Sequence, residues 1–586
     1  MPKPFRGIDV RALREAWRTF RPALRGQRPA LVRSVLLALG VTAMELLRPW
    51  PIKLVFDRVL LAGAGRGGRG AVPPELTLVA AAAATFLISV LLGTLSVRAA
   101  VAAAQIGRKV TVRIRRQVFE HLHALAVPFH QSSRTGDLLI RLMGDVNAVR
   151  DALYTSWVNL LARGTLFVGV AAIMLALDPG LALLAMAPLP LLAVGITRSS
   201  RRLREVARKQ RRSEGDAASH AAETLRHIRV VKAYAAEDRA TEAFARDARS
   251  GERAGVRAAR IAAQVDRMTE VLTGLGLALV LFAGARSVVA GTLSPGSLLV
   301  FVSYARVMYK PLRKASQEGP RLAKASACAA RLLDVLRLPP EDFHAGGGAL
   351  PFRGDVALRG VRYAYPNRAE ALRGISFELE AGDLAVVRGP NGSGKSTLLS
   401  VLLRLLRPDA GQVLVDGVPV ERFRLRSYRE RFAYVPQDVQ LFGATVRENI
   451  LYGRPDATDD EVAEAARLAL FDDVVARLPD GYETALGEGG ATLSGGEARR
   501  LMLARAALRR ARIVLLDEPM AGLDPEARPV VAAAIRRIAA GRTTLVVTHD
   551  PVEEIGPDVV LHVDEGTVRR VEDRRVRRPQ QVSAAW

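Results

Sequence analysis

The stretch LAVVRGPNGSGKSTLLSVLLRLL, residues 384–406, decides the fold of one half of the chain. Four apolar residues predict a short buried strand, a glycine-rich loop follows, and the leucine-rich remainder has the spacing of a helix. The loop fits the phosphate-loop pattern in its required strand–loop–helix context. Its residues are Gly389, Pro390, Asn391, Gly392, Ser393, Gly394, Lys395, Ser396 and Thr397. Glycines let backbone amides surround the phosphates of a nucleoside triphosphate, Lys395 neutralises the terminal ones, and the Ser396 hydroxyl is expected to ligate Mg²⁺.

Two further apolar strands are predicted to complete this site. In RIVLLDEP, a buried strand ends in Asp517 and Glu518. Asp517 is placed to hold Mg²⁺, and Glu518 is the natural base to orient or deprotonate an attacking water. In TTLVVTHD, another strand leads to His549, whose imidazole is expected to contact the γ-phosphate.

The stretch ATLSGGEARR, residues 491–500, has the parts of a second anion site. Ser494 supplies a hydroxyl, Gly495 and Gly496 supply bare backbone amides, and a helical pattern begins there. Since the loop upstream already provides one phosphate site, the sequence raises the question of which phosphate this second one binds.

The chain is too long for one compact domain, and its apolar residues are unevenly distributed. It has 586 residues, of which 49% are hydrophobic, and a formal net charge of +26. Its single cysteine, Cys328, excludes an intrachain disulfide and a cysteine-cluster metal site.

Six apolar stretches in the first half reach or approach the roughly 20 residues needed to span a bilayer. They lie near 32–57, 77–98, 155–177, 181–198, 271–290 and 297–316. The gaps at 99–154 and 199–270 are long and rich in arginine. By the positive-inside rule these gaps and both termini are cytoplasmic, in a multi-pass protein of the cytoplasmic membrane. This topology explains much of the positive charge without nucleic acid as a partner.

Two features near the N-terminus have more than one interpretation. The apolar stripe that includes Trp17 and Phe20 suits a helix lying on an anionic leaflet, but also an ordinary amphipathic surface helix. Glu45 and Arg48 lie inside the first apolar stretch. Ionisable residues at that depth either line a cavity that touches cargo or form an internal ion pair beside a kink at Pro49.

The nucleotide motifs, taken in their order and spacing, resemble the ATP-binding cassette (ABC) transporters. The order is GPNGSGKST, YVPQD, LSGGE, VLLDEP, GLD and VVTHD. The six-span half is similar to the exporter-type membrane domain of the same family, so the resemblance covers essentially the whole chain. It implies a polytopic α-helical membrane domain with six transmembrane helices, followed by an α/β phosphate-loop NTPase cassette that uses ATP and Mg²⁺.

The resemblance also implies roles that spacing alone does not give. Tyr365 occupies the position at which the family stacks an aromatic ring on adenine. Gln437 matches the loop residue that links the Mg²⁺ site to the membrane domain, and it is expected among the metal-binding residues. Glu497, in place of the commoner glutamine, and Asp524 are expected at the nucleotide. Segments 129–146 and 223–238 resemble the two intracellular coupling helices.

The resemblance further implies four segments and a dimer. The segments are an N-terminal cytoplasmic segment 1–28, a transmembrane domain 29–335, a linker 336–352 and a cassette 353–586. In this family the phosphate loop and the catalytic glutamate of one subunit meet the signature of another. We therefore expect a second half-transporter subunit, in a homodimer rather than a heterodimer. Two departures, Ala485 and Gly489, stand where the family has a glutamate and an arginine, so the contacts of that segment with the coupling helix are left open.

The expected function is ATP-driven export of an amphiphilic, lipid-like, drug-like or peptide-like substrate by alternating access. Three alternatives remain at this point. One is a subunit of a heterodimer or an exporter-shaped importer of a metal chelate, and another is an ATP-gated channel or regulator. The third, a soluble cassette ATPase acting on nucleic acid, conflicts with the six apolar stretches.

Overall fold

The computed structural model describes residues 10–24, 26–60, 73–152, 156–343, 347, 352–366, 369–487 and 493–575. The chain divides into two compact units. The first consists of Met1–Ala124 and Ser133–Pro339, and the second of Leu125–Ser132 and Pro340–Trp586.

The first unit is helical. Its helices are α1 (Val10–Phe20), α2 (Arg28–Leu47), α3 (Trp50–Val55), α4 (Pro74–Ala124), α6 (Thr135–Ile140), α7 (Val146–Arg150), α8 (Ser156–Leu177), α9 (Pro179–Met186), α10 (Pro188–Arg226), α11 (Ile228–Ala233), α12 (Glu237–Val289) and α13 (Pro295–Leu336). The short helix α5 (Val127–Ser132) belongs to the second unit. The long arginine-rich gaps are thus mostly helical, because α4, α10 and α12 continue well beyond their apolar parts.

Five helical segments in the described part of the chain are long and apolar enough to cross a membrane. They are Arg28–Val59, Glu75–Ala124, Leu160–Leu177, Pro179–Ser199 and Glu237–Val289. The sixth predicted span, 297–316, lies on α13. Several of its side chains, from residue 310 onward, fall outside the described part, so the count of six stays a prediction.

The first membrane segment breaks between α2 and α3. Pro49 and Pro51 have no N–H to donate, so the helix cannot continue its hydrogen-bond ladder there. Beside this break, Tyr304 of α13 donates its hydroxyl to the carbonyl of Leu46 and accepts from Trp50 Nε1 at 3.0 Å.

Glu45 and Arg48 lie next to this break. Neither side chain has an ion-pair partner within the described residues, and Arg48 is exposed. The structure therefore gives no support to the internal ion pair, and the other interpretation, a cavity lining, stays a prediction.

The N-terminal helix α1 buries Ala12, Ala16 and Phe20, whereas Trp17 is exposed. Arg337, which directly follows α13, pairs with Glu15 of α1. The helix therefore packs one face against its own unit and leaves the indole of the predicted stripe outside.

Helices α10 and α12 form a long antiparallel pair. At one point Gly195 packs so closely on Met268 that a Cβ at residue 195 would overlap the thioether. At another, the hydroxyls of Ser213 and Ser250 are 3.1 Å apart. Small residues at the contact let the two backbones approach closely, and the two contacts fix the register of the pair.

The second unit contains two sheets. Its strands are β1 (Val356–Ala364), β2 (Glu370–Leu379), β3 (Leu384–Arg388), β4 (Ala410–Val415), β5 (Val418–Pro419), β6 (Phe432–Val435), β7 (Ile513–Asp517), β8 (Thr543–Val547), β9 (Val559–Asp564) and β10 (Thr567–Asp573). One sheet has the order β2-β1-β4-β5 and is antiparallel. The other has the order β10-β9-β3-β8-β7-β6 and is parallel except for β10.

The described part of the chain has seven α-helices between β3 and β8. They are α14 (Lys395–Leu402), α15 (Leu425–Arg429), α16 (Val446–Leu451), α17 (Asp459–Leu468), α18 (Asp472–Arg477), α19 (Gly495–Leu508) and α20 (Ala527–Ala539). Strands β7 and β8 are buried along their full length, as expected of parallel strands with both faces covered. The motif residues follow the carboxyl ends of these strands, where α/β sheets place their ligand sites.

Candidate active site

The phosphate loop joins β3 to α14 and depends on glycines for its shape. A Cβ on Gly389 would overlap the carbonyl oxygen of Val563. Gly394 has φ +97°, and a Cβ there would overlap the carbonyl of Ala371. Helix α14 begins at the next residue, so its free N–H groups point into the loop, which is the arrangement that binds phosphate.

Lys395 lies at the centre of this loop. Its side chain is buried, and Nζ donates to the carbonyls of Gly389 at 2.9 Å and Pro390 at 2.8 Å. The hydroxyl of Ser393 is buried as well and has no hydrogen-bond partner among the described residues. A buried ammonium and an unpaired hydroxyl in one cradle are the donors that a polyphosphate chain requires.

Ser396 and Asp517 form the next part of the site. Ser396 Oγ donates to Asp517 Oδ1 across 3.2 Å. Burial is the largest cause that raises the pKa of the Asp517 carboxyl above its ordinary value, although the hydrogen bond from Ser396 lowers it. A hydroxyl and a carboxylate are hard oxygen donors, so this pair fits Mg²⁺, whose remaining ligands would come from nucleotide and water.

Glu518 and Gln437 come together because of strand register. Val435 pairs with Leu516 in the parallel ladder of β6 and β7, and each functional residue lies two positions farther on. Gln437 Nε2 donates to Glu518 Oε2 at 2.8 Å. The Glu518 backbone has φ +46°, a left-handed conformation that is uncommon for a residue with a side chain.

His549 follows β8 and faces the same carboxylate. Its Nδ1 is 3.7 Å from Glu518 Oε1, and its side chain is about half exposed. Glu518 itself is 8% exposed. The structure thus groups a largely buried carboxylate, an amide and an imidazole beside the Ser396–Asp517 pair.

The adenine candidate lies on the other side of the loop. Tyr365 is partly buried, its hydroxyl is 3.3 Å from Thr397 Oγ1, and its ring meets that of Tyr363 edge to face at 5.0 Å. Asp524 is exposed and precedes α20. Its backbone carbonyl accepts from the N–H of Ala527, the first residue of that helix.

The signature residues form a helix cap. Ser494 Oγ accepts from the Glu497 N–H at 3.3 Å, and Glu497 Oε2 accepts from the Ser494 N–H at 2.9 Å, so the pair is a capping box for α19. Glu497 Oε1 pairs with Arg477 at 3.2 Å. Glu497 therefore works as the acid of a cap, with both oxygens engaged inside the chain.

The cap and the phosphate loop are not joined. Among the described residues, no hydrogen bond or ion pair links Ser494, Gly495 or Gly496 to residues 389–397. Within the described residues, the cap and the phosphate loop of one chain thus do not form a single site.

The segment before the signature is only partly described. Ala485 is exposed and forms an antiparallel bridge with Thr445, next to the start of α16. The other departure, Gly489, lies outside the described residues.

Arg499 is a site residue that sequence reasoning missed. It is buried on α19, and its Nη1 donates to the carbonyl of Pro436 at 3.2 Å, next to Gln437. Burial lowers the pKa of its guanidinium, while the charges of Asp438 and Glu518 raise it. The sequence signal that could have identified Arg499 is its position, five residues after Ser494 on a helix that enters the core.

Both halves of the chain match known families. Residues 31–312 match the ABC transporter transmembrane region, and residues 372–521 match the ABC transporter family. An ATP-dependent lipid A-core flippase of Chromohalobacter salexigens is 32% identical over 466 residues, 79% of this chain and 80% of the relative. The flippase of the same name from Chromobacterium violaceum is 34% identical over 457 residues, 77% of this chain and 78% of the relative. A solved structure of a bacterial Atm1-family ABC exporter with ATP bound superimposes with a TM-score of 0.79 at 26% identity, covering 94% of this chain and 96% of that one.

Proposed function

Since the chain belongs to the ABC transporter family, as a membrane domain fused to an ATP-binding cassette, we propose that two copies form a dimer that exports a lipid-like amphiphile. The names of the two flippases support a lipid-like cargo, and the exporter with bound ATP supports the direction and the energy source. We place the protein in the cytoplasmic membrane of a bacterium, with both termini on the cytoplasmic side.

The observation that carries the proposal is the grouping of Glu518, Gln437 and His549. Glu518 is placed to orient the attacking water and to accept its proton. Lys395 holds the terminal phosphates, and His549 reaches the same carboxylate from β8 and is positioned for the γ-phosphate. Ser396 and Asp517, assisted by Gln437, would hold Mg²⁺, which neutralises phosphate charge during transfer.

The partner subunit is inferred from the signature cap. Ser494 and the amides of Gly495 and Gly496 have no contact with their own phosphate loop, so we propose that they bind the γ-phosphate of ATP held by a second copy. Apolar side chains on and just after α11 are exposed, among them Val230 and Tyr234, whose side chain is 81% exposed. They support a partner that covers this surface. Because both Glu518 and the signature are present, a homodimer would have two complete sites.

We further propose the division into segments 1–28, 29–335, 336–352 and 353–586. The second compact unit begins again at Pro340, inside the proposed linker, which supports the boundary between membrane domain and cassette.

The test is lipid movement by the purified chain in sealed liposomes. Proteins inserted with the cassette outside receive ATP and Mg²⁺, and a labelled amphiphilic glycolipid is followed from the outer to the inner leaflet by quenching. We expect movement that requires ATP and is absent in Lys395→Ala. Unchanged ATP hydrolysis with no movement of lipid, peptide or drug probes would contradict the export proposal.

A further inference from the structure

A positively charged cavity lies between α10 and α12, away from the cassette site. Its volume is about 500 Å³, within the usual range for small-ligand sites. Its charged lining residues are Glu205, Lys209, Arg246, Arg249, Arg253 and Arg257. Five cations thus share the cavity with one carboxylate.

With the membrane orientation proposed above, the register of the two helices places this cavity on the cytoplasmic side. Gly195 contacts Met268 at the membrane end, and Ser213 contacts Ser250 farther out. The cavity lies between these two contacts and extends past the second. The apolar segment of α10 ends at Ser199, and at 1.5 Å per residue Glu205 and Lys209 are about 9 and 15 Å beyond it. The cavity is therefore close to the inner leaflet and open to the cytoplasm.

The four arginines lie on one face of α12. They are three or four residues apart, so their guanidinium groups stack along the same side of the helix. Lys209 approaches from the opposite helix. These side chains are exposed, but like charges at this spacing still repel one another, and a bound anion would relieve that repulsion.

The five cations have no partners inside the protein. None of their side chains makes a hydrogen bond or an ion pair with another residue in the described part of the chain. Two nearby acids are already engaged, since Asp247 contacts His220 at 2.7 Å and Glu214 contacts Gln210 at 2.9 Å. The positive-inside rule explains why these helices are basic, but it does not require the cations to converge on a cavity.

We propose that this cavity binds a ligand with two or more phosphate groups. Arginine presents a planar fork that matches phosphate oxygens, and four such groups provide more donors than one phosphate can use. The phosphates could belong to an anionic lipid headgroup or to a free polyphosphate. This site is distinct from the ATP site and does not depend on which cargo the transporter moves.

The experiment uses the full chain in nanodiscs of phosphatidylcholine. All proteins carry Lys395→Ala, so that the phosphate loop lacks its main cation and contributes less to polyphosphate binding. One probe is sodium tripolyphosphate, measured by calorimetric titration. The other is fluorescent phosphatidic acid, measured by its saturable transfer into the nanodisc-bound protein.

Two double variants distinguish binding at this cavity from attraction by the general positive charge of the helices. Arg249→Gln with Arg253→Gln removes two cations from the cavity, whereas Arg208→Gln with Arg260→Gln removes two exposed cations of the same helices that do not line it. Equal melting temperatures check that both pairs fold. We expect the cavity pair to weaken binding of at least one probe by roughly tenfold or more and the matched pair to leave it within about twofold.

The outcomes distinguish the two possible sources of the phosphate groups. Loss of tripolyphosphate binding in the cavity pair assigns a free polyphosphate, and loss of phosphatidic acid binding assigns a lipid headgroup. Equal weakening by both pairs, or no saturable binding of either probe to the parent protein, overturns the proposal.

Discussion

Gln437 Nε2 and Glu518 Oε2 are joined by a hydrogen bond of 2.8 Å. The two residues follow adjacent parallel strands, β6 and β7, at equivalent positions. A movement of the loop after β6 would therefore break or redirect this hydrogen bond to the carboxylate proposed as the base. The contact thus joins the proposed base to the loop that the family resemblance assigns to communication with the membrane domain.

Replacing the proposed base should separate ATP binding from turnover. In Glu518→Gln the side chain keeps its shape but cannot accept a proton, so we expect kcat to fall by roughly 100-fold or more while ATP still binds. Phosphate release and binding of a fluorescent nucleotide measure the two properties. Glu464→Gln, at an exposed position of α17, is the matched control. Ordinary turnover in Glu518→Gln would remove the assignment.

Asp517→Asn should stabilise the nucleotide-free protein and inactivate it. Burial raises the pKa of this carboxyl, which means that its charged form destabilises the folded state. The asparagine variant should therefore melt at a higher temperature near neutral pH, and its advantage should shrink as the pH falls and the wild-type carboxyl becomes protonated. Thermal melts across pH, together with Mg²⁺-dependent ATPase assays, check both parts. A variant that melts lower at neutral pH would contradict the burial argument.

Gly394→Ala should damage the phosphate loop through its backbone. The residue has φ +97°, and the new methyl group would overlap the Ala371 carbonyl, so we expect a loss of about 1–3 kcal/mol in cassette stability and weaker ATP binding. Gly443→Ala has an ordinary φ and open space at the new Cβ, and should be close to neutral. Chemical denaturation of the two variants gives the comparison.

Two inactive variants should rescue each other if the ATP sites are shared between copies. Lys395→Ala disables the phosphate loop and Ser494→Arg disables the signature, so each homodimer has no working site. A mixed dimer has one site with both defects and one site with neither. Co-expression in equal amounts should restore about a quarter of wild-type ATPase activity, since half the dimers are mixed and each has one of two sites. Absence of any rescue in a verified mixed dimer would contradict the shared site.

Local sequence signals were sufficient where the function depends on short segments. The strand–loop–helix around Lys395 and the strand ending in Asp517 and Glu518 were predicted from apolar runs and glycines, and the structure contains β3, α14 and β7 at those places. The fused membrane and cassette halves predicted from the motifs are confirmed by the family matches.

Tertiary contacts account for what sequence reasoning could not provide. The hydrogen bond from Arg499 to the Pro436 carbonyl joins residues 63 positions apart, and no local pattern predicts it. The left-handed backbone of Glu518 is also not predicted by the apolar run that precedes it. The pairing of Glu497 with Arg477 likewise required the position of α18 relative to α19. The register of α10 on α12, fixed by the contact of Gly195 with Met268, likewise cannot be predicted from the apolar pattern alone.

The lengths of α4 and α12 have a mechanical consequence. With 51 and 53 residues, each is a continuous rod of roughly 75–80 Å, because every residue adds 1.5 Å. A tilt of only about 5° at one end of such a rod displaces the other end by roughly 7 Å, more than one helical turn. An unbroken helix that tilts as a unit would thus act as a lever, amplifying a small rotation at one end into a displacement of several ångströms at the other.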